Sequence, residues 1–133
     1  LHSYLTVADS EQASVDGVGN QYLDNFSAGE KKPAPGHVTF EAPVDRIYTG
    51  AHDTLSLTDP VGSRRITVTN QGATSAVIWN PGQAASVKMA DMDDDGYQHF
   101  VCIEAALETP NTVVSPGQTY TLATTLCDEK ALR

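Results

Sequence analysis

Along most of the chain, apolar and polar residues alternate with a period of two. His37-Val38-Thr39-Phe40-Glu41, Arg46-Ile47-Tyr48, Thr54-Leu55-Ser56-Leu57-Thr58, Arg65-Ile66-Thr67-Val68-Thr69 and Ser75-Ala76-Val77-Ile78-Trp79 carry this signal. Residues 1–7, 86–89, 99–107, 112–114 and 119–127 read the same way. A strand turns successive side chains to opposite faces, so the period predicts strands with one face in a core. The runs are rich in β-branched and aromatic residues, and Gly, Pro, Asn and Asp bound them. Turn signals recur about every 8–12 residues, the spacing of a sandwich or barrel. Helical patterning is confined to two short stretches, 11–15 and 91–97. Residues 25–36, which include Pro33 and Pro35, read as an exposed loop, because proline cannot serve a central strand. The expected fold is all-β, an antiparallel β-sandwich.

Length and charge then narrow the classes. The 133 residues suit a single domain spanning 1–133, long enough to bury a core. With 8 Lys+Arg against 17 Asp+Glu the net charge is −9, which repels phosphate and argues against nucleic acid as a partner. No apolar run approaches the ~20 residues of a spanning helix, so no membrane partner is expected. Cys102 and Cys127 each lie in an apolar stretch and read as buried, reduced thiols. With no secretory leader pattern, this points to the cytoplasm. Asn25-Phe26-Ser27 matches a glycosylation sequon, a tripeptide that carries little weight outside the secretory route. The chain opens in strand pattern at Leu1 with no start Met, as though residues preceded it.

The loudest local signal is acidic. Asp91-Met92-Asp93-Asp94-Asp95-Gly96 opens like a calcium loop, with oxygen ligands at positions 1, 3 and 5 and Gly at 6. Position 12, where a bidentate Glu belongs, is Cys102, and no helices bracket the run, so it reads as a solvated acidic turn. His2, His37, His52 and His99 are scattered without zinc-ligand spacing, and no metal site is expected. A Gly-x-Ser-x-Gly nucleophile elbow is missing, and Gly17-Val18-Gly19 lacks the rest of a phosphate-binding loop. Ionisable residues inside apolar strands are more informative. Glu104 follows Phe100-Val101-Cys102-Ile103, where a carboxylate is costly unless it has a partner or a task. His2 and Asp45 also occupy strand positions. Taken singly, each is an ordinary outward-facing residue; a Glu and a His that met in a cleft would form an acid–base pair.

A set of short segments gives these residues a context. They are Leu1-His2-Ser3-Tyr4-Leu5, Val15-Asp16-Gly17-Val18-Gly19, Thr39-Phe40 with Val44-Asp45-Arg46-Ile47-Tyr48, Trp79-Asn80-Pro81-Gly82, Met89-Ala90-Asp91-Met92-Asp93, Phe100-Val101-Cys102-Ile103-Glu104-Ala105 and Ser115-Pro116-Gly117-Gln118. In order and spacing the set resembles the C-terminal half of the glucose-6-phosphate 1-epimerases, hexose-6-phosphate mutarotases of the aldose 1-epimerase superfamily. The resemblance implies the C-terminal half of a galactose mutarotase-like supersandwich. It also implies an isomerase that interconverts α and β anomers of a hexose or hexose 6-phosphate. His2 would be the catalytic acid, Glu104 the catalytic base, and Asp45 a ligand of substrate hydroxyls. Trp79 could offer its flat face to the sugar, although a lone Trp in Val77-Ile78-Trp79 is more often core. The chemistry needs no cofactor.

Phosphate is the weak point of this reading. The family's arginines for the phosphate lie mainly in the half that would precede this sequence. Arg46 follows Asp45 on a strand and should face away from it, and Arg64 and Arg65 read as surface charges. The alternative to a mutarotase is a non-catalytic, carbohydrate-binding or oligomerising β-sandwich module. A half-sandwich would leave sheet edges or core bare, so on that alternative a homodimer that covers them is expected.

Overall fold

The alternating runs assemble into two antiparallel sheets. A computed structural model of the chain describes residues 1–50, 53–107 and 112–130. The strands are β1 (Tyr4–Thr6), β2 (Ser14–Asp16), β3 (Gln21–Asp24), β4 (Glu30–Pro33), β5 (His37–Thr39), β6 (Val44–Thr49), β7 (Thr54–Asp59), β8 (Arg64–Gln71), β9 (Ser75–Asn80), β10 (Phe100–Ala106) and β11 (Ala123–Lys130). One sheet has the order β1-β10-β9-β6-β3-β4, the other β11-β8-β7-β2-β5. The sheets face one another as the expected sandwich. Among the described residues, no helix is long and apolar enough to cross a membrane.

The period of two decides which residues fill the space between the sheets. Val44, Tyr48, Ile78, Val101 and Ile103 of the six-stranded sheet share a core with Val15, Val38, Leu55, Leu57 and Val68 of the other. All ten are at most 2% exposed. The layers are also tied by polar groups at one side. Asp59, itself buried, accepts the Ala8 N–H at 3.1 Å and the Gly62 N–H at 2.9 Å. Arg64 lies 3.6 Å from Asp59 and 3.2 Å from Asp128, and donates to the Thr6 carbonyl of β1. Arg64 is thus a structural cation rather than the surface charge expected; Arg65 is exposed, as expected.

Several local expectations need correction. Residues 86–89 form no strand: α1 (Gln83–Ser86) begins after Gly82 and runs into a turn. Residues 112–114 are outside any strand, and Val113 is exposed. The stretch 25–36 is not simply a loop, because β4 pairs with β3 along the sheet edge, where Pro33 needs no ladder partner on its outer side. A 3-10 turn at Ser10–Gln12 replaces the expected helix over 11–15, and Ser14 and Val15 enter β2. The 91–97 stretch is a series of turns ending in a 3-10 turn at Gly96–His99, with Asp91, Asp93, Asp94 and Asp95 exposed. Cys102 is buried, but Cys127 is exposed because β11 is an edge strand; neither is in a disulfide. His52 lies outside the described residues.

Candidate active site

The face of the six-stranded sheet that points away from the core carries the site. Antiparallel register sets its residues in two neighbouring rows. Tyr4 pairs with Cys102, Cys102 with Trp79, and Trp79 with Asp45 across β1, β10, β9 and β6. In the next row Glu104 pairs with Val77, and Val77 with Ile47. The Ile103 N–H donates to the Ser3 carbonyl at 3.1 Å, which continues the ladder toward His2 and brings it beside Glu104. Because strands stand ~4.8 Å apart, Glu104 and Asp45 are two spacings, about 10 Å, apart across the sheet. Val77 and Trp79 form the floor between them.

His2, Tyr4, Asp45, Val77, Trp79 and Glu104 line one open hollow of about 250 Å³. All four residues singled out in the sequence, His2, Glu104, Asp45 and Trp79, therefore meet in one place. The His2 Nδ1 lies 2.8 Å from Glu104 Oε1. The imidazole is largely in solvent, at 77% side-chain exposure, whereas the Glu104 side chain is 12% exposed. A mostly buried carboxylate is thus joined to an open surface through a ring that can carry a proton. A second hollow, about 330 Å³, lies along Asn20, Gln21, Lys31, Lys32 and Pro33, away from this pair.

The surroundings hold the pair in place. Tyr4, Trp79 and Phe100 form an aromatic cluster with ring centroids 5.3–6.1 Å apart. Burial and the adjacent Cys102 raise the Tyr4 phenol above its ordinary range. Burial, reinforced by Glu104, pushes the Cys102 thiol up to about 12, so it is a neutral packing group under the site. Asn80 gives the Trp79-Asn80-Pro81-Gly82 segment its role. It is 2% exposed, donates to the Tyr97 and Phe100 carbonyls at 2.8 and 2.9 Å, and accepts the Gly82 N–H at 2.9 Å. These bonds lock the end of β9, and with it Trp79, to the start of β10. Gly82 has φ +65, and a Cβ there would stand 2.6 Å from the Pro43 ring, so glycine is required.

Arg46 faces away from Asp45, as strand alternation requires. Its guanidinium lies 4.6 Å from the Tyr22 ring centroid and 3.4 Å from the Tyr48 hydroxyl. Among the described residues, no lysine or arginine lines the hollow. Among the described residues, no group of three or more His, Cys, Asp or Glu is placed to hold a metal ion. Sequence reasoning passed over Tyr4 and Val77, yet both were accessible to it: each is two residues from a chosen one, His2 or Trp79, and so on the same face. Asn25, which donates to Asp45 Oδ1 at 2.6 Å, carried no such signal.

Comparison with known proteins identifies the family. Residues 1–127 match the family described as aldose 1-epimerase. The chain belongs to the aldose 1-epimerase family. An Escherichia coli relative named "Putative glucose-6-phosphate 1-epimerase" is 37% identical over 124 residues, covering 92% of this chain and 42% of the relative. A Salmonella typhimurium relative of the same name is 36% identical over 131 residues, covering 98% of this chain and 45% of its own length. The crystal structure of a "putative mutarotase" from Salmonella typhimurium superposes with a TM-score of 0.93 at 34% identity, over 98% of this chain and 44% of that one. The chain thus spans less than half the length of these aldose 1-epimerase relatives.

Proposed function

We propose that this chain supplies the acid–base site of a hexose mutarotase, with Glu104 as base and His2 as acid. The observation that carries the proposal is the 2.8 Å His2–Glu104 contact at one wall of a hollow whose other wall is Asp45. A pyranose ring laid on Val77 and Trp79 would bridge the two walls. Glu104 removes the proton of the anomeric hydroxyl, the C1–ring-oxygen bond breaks as the C1 carbonyl forms, and His2 protonates the ring oxygen. Because the His2 Nδ1 is engaged with Glu104, Nε2 is the nitrogen that delivers this proton. Rotation about C1–C2 presents the other carbonyl face. On closure His2 takes the proton back from the hydroxyl as its oxygen attacks C1, and Glu104 returns the other proton to the carbonyl oxygen. The cycle is proton-neutral and draws on no group outside the chain. Asp45 accepts hydrogen bonds from ring hydroxyls, and Trp79 packs against the apolar face of the sugar. The relatives' name makes a hexose 6-phosphate the first substrate to try. Unpaired Cys102 and Cys127 support a reducing, cytoplasmic setting.

Polarimetry of freshly dissolved α-glucose 6-phosphate, with α-glucose in parallel, tests this reading. The full 133-residue chain should speed the decay to the equilibrium rotation, and Glu104→Gln should not. Decay at the buffer rate with the wild-type chain would overturn it.

The sheet edges favour a second reading, a sugar-binding module that works as a homodimer. Among the described residues, the eight-residue β11 pairs on one side alone, and Leu126 on it is 48% exposed; β1 is likewise an edge, with Tyr4 57% exposed. Bare edges of this kind invite pairing with a second copy. Light scattering that gives the monomer mass at micromolar concentration would dispose of the dimer.

A further inference from the structure

The turn after β3 reaches over to Asp45. β3 pairs with β6 so that Asp24 stands opposite Arg46, which brings the next residue, Asn25, alongside Asp45. The turn is rigidly built. The Asp24 carboxylate caps it, accepting the Phe26 N–H at 3.0 Å, the Ser27 hydroxyl at 3.3 Å and the Lys32 ammonium at 2.6 Å. Lys32 also donates to the Ser27 hydroxyl at 2.8 Å, and the Gly29 N–H returns to the Asp24 carbonyl at 2.8 Å. Ala28 closes the turn in the left-handed region at φ 52. None of these bonds uses the Asn25 side chain. That side chain is spent on one contact, its Nδ2 donating to Asp45 Oδ1 at 2.6 Å.

We propose that Asn25 is a positioning residue: it fixes the Asp45 carboxylate so that the second oxygen, Oδ2, is presented to a sugar hydroxyl. A carboxylate on a strand turns freely about its last bond, and a donor on one oxygen removes that freedom before the sugar arrives. A neutral amide does so without cancelling the negative charge that attracts a hydroxyl proton, as a lysine would. The amide keeps a second N–H and a carbonyl oxygen, so the pair Asn25–Asp45 can offer both a donor and an acceptor to neighbouring hydroxyls. The substrate class is a sugar with a vicinal diol on the β6 side of the hollow. This inference rests on the proposed function, since it assigns Asp45 to the sugar.

The test uses the full chain with Asn25→Ala, Asn25→Gln and Asp45→Asn. Trp79, the only tryptophan, reports glucose 6-phosphate binding through its fluorescence, independently of turnover. Exchange between the anomers is followed by NMR. Asn25→Ala should weaken binding and raise KM about tenfold, the loss of one hydrogen bond to a charged group, with kcat within about twofold. Asn25→Gln, which keeps the amide, should recover part of the affinity. The melting temperature should hold, because Asp24 rather than Asn25 caps the turn. An unchanged affinity in Asn25→Ala, beside a weakened Asp45→Asn, would overturn the role of Asn25 alone. Binding without faster anomer exchange would overturn the mutarotase reading alone. A wild-type chain that does not bind would overturn both.

Discussion

His2 and Glu104 are 102 positions apart in the chain, yet the His2 Nδ1 and Glu104 Oε1 lie 2.8 Å from each other across the β1–β10 ladder. The contact couples a buried carboxylate to an exposed ring. Removing either partner should therefore abolish most of the anomer exchange, by roughly 10²–10⁴-fold, the usual contribution of a positioned acid or base. Glu104→Gln and His2→Ala should not add when combined, since the proposed mechanism puts the two in one cycle. Rates for both single variants and the double, by NMR exchange, check this; losses that multiply would mean that the two residues act separately.

Asn80 should matter for stability before it matters for chemistry. Asn80→Ala strands the Phe100 carbonyl and the Gly82 N–H, at about 1–3 kcal/mol for a buried group left unpaired, while the Tyr97 carbonyl keeps the Ser10 hydroxyl at 3.0 Å. A drop of that order in urea-derived stability is expected, with a shifted Trp79 emission as the end of β9 loosens. A melting temperature equal to that of the wild-type chain would show that the end of β9 needs no such clamp.

The Asp24–Lys32 pair gives the β3–β4 hairpin a pH window. The Lys32 ammonium holds the Asp24 carboxyl below its ordinary value, and Asp24 in turn holds Lys32 above its own. A depressed Asp contributes stability that is present above about pH 4 and lost as pH falls through its folded value. A raised Lys contributes stability that is present below about pH 10 and lost as pH rises through its folded value. Hairpin amide protection, measured by hydrogen exchange, should thus be flat between these limits and decline on both sides. Asp24→Asn should flatten the acid limb; an unaltered acid limb would refute the pairing.

The two thiols should differ sharply in reactivity. Cys102 is fully buried with its thiol pushed up to about 12, whereas Cys127 is exposed on β11. A thiolate is the reactive form, so a thiol reagent at pH 8 should modify Cys127 quickly and Cys102 only after denaturation. Peptide mapping of the native, labelled chain decides the matter, and a Cys102 adduct formed at a comparable rate would contradict the packing.

The sequence was enough for the fold class and for the faces of the strands. Alternation in Arg65-Ile66-Thr67-Val68-Thr69 or Ser75-Ala76-Val77-Ile78-Trp79 states which side is buried, because the side-chain period of a strand is two. The same rule turns Arg46 away from Asp45, toward Tyr22 and Tyr48. It failed where short elements take their shape from neighbours. β4 exists because β3 offers it an edge, and residues 86–89 curl into turns that the Gly82 backbone starts. Cys127 is apolar in local pattern but lies on an edge strand, where no second neighbour covers it.

The residues proposed for function divide in the same way. His2, Asp45, Trp79 and Glu104 could be named from residue type, strand position and family pattern, since a carboxylate inside Phe100-Val101-Cys102-Ile103 asks for a reason. That they share one hollow was decided by register, which sets Trp79 opposite both Cys102 and Asp45 and places Glu104 one row away. Asn25 was beyond the sequence altogether, because its contact with Asp45 depends on how β3 aligns with β6. Chemical identity and strand face are local and survive in the order of residues. Distances between strands far apart in the chain are set when the sheets close over a common core, and only the folded molecule holds them.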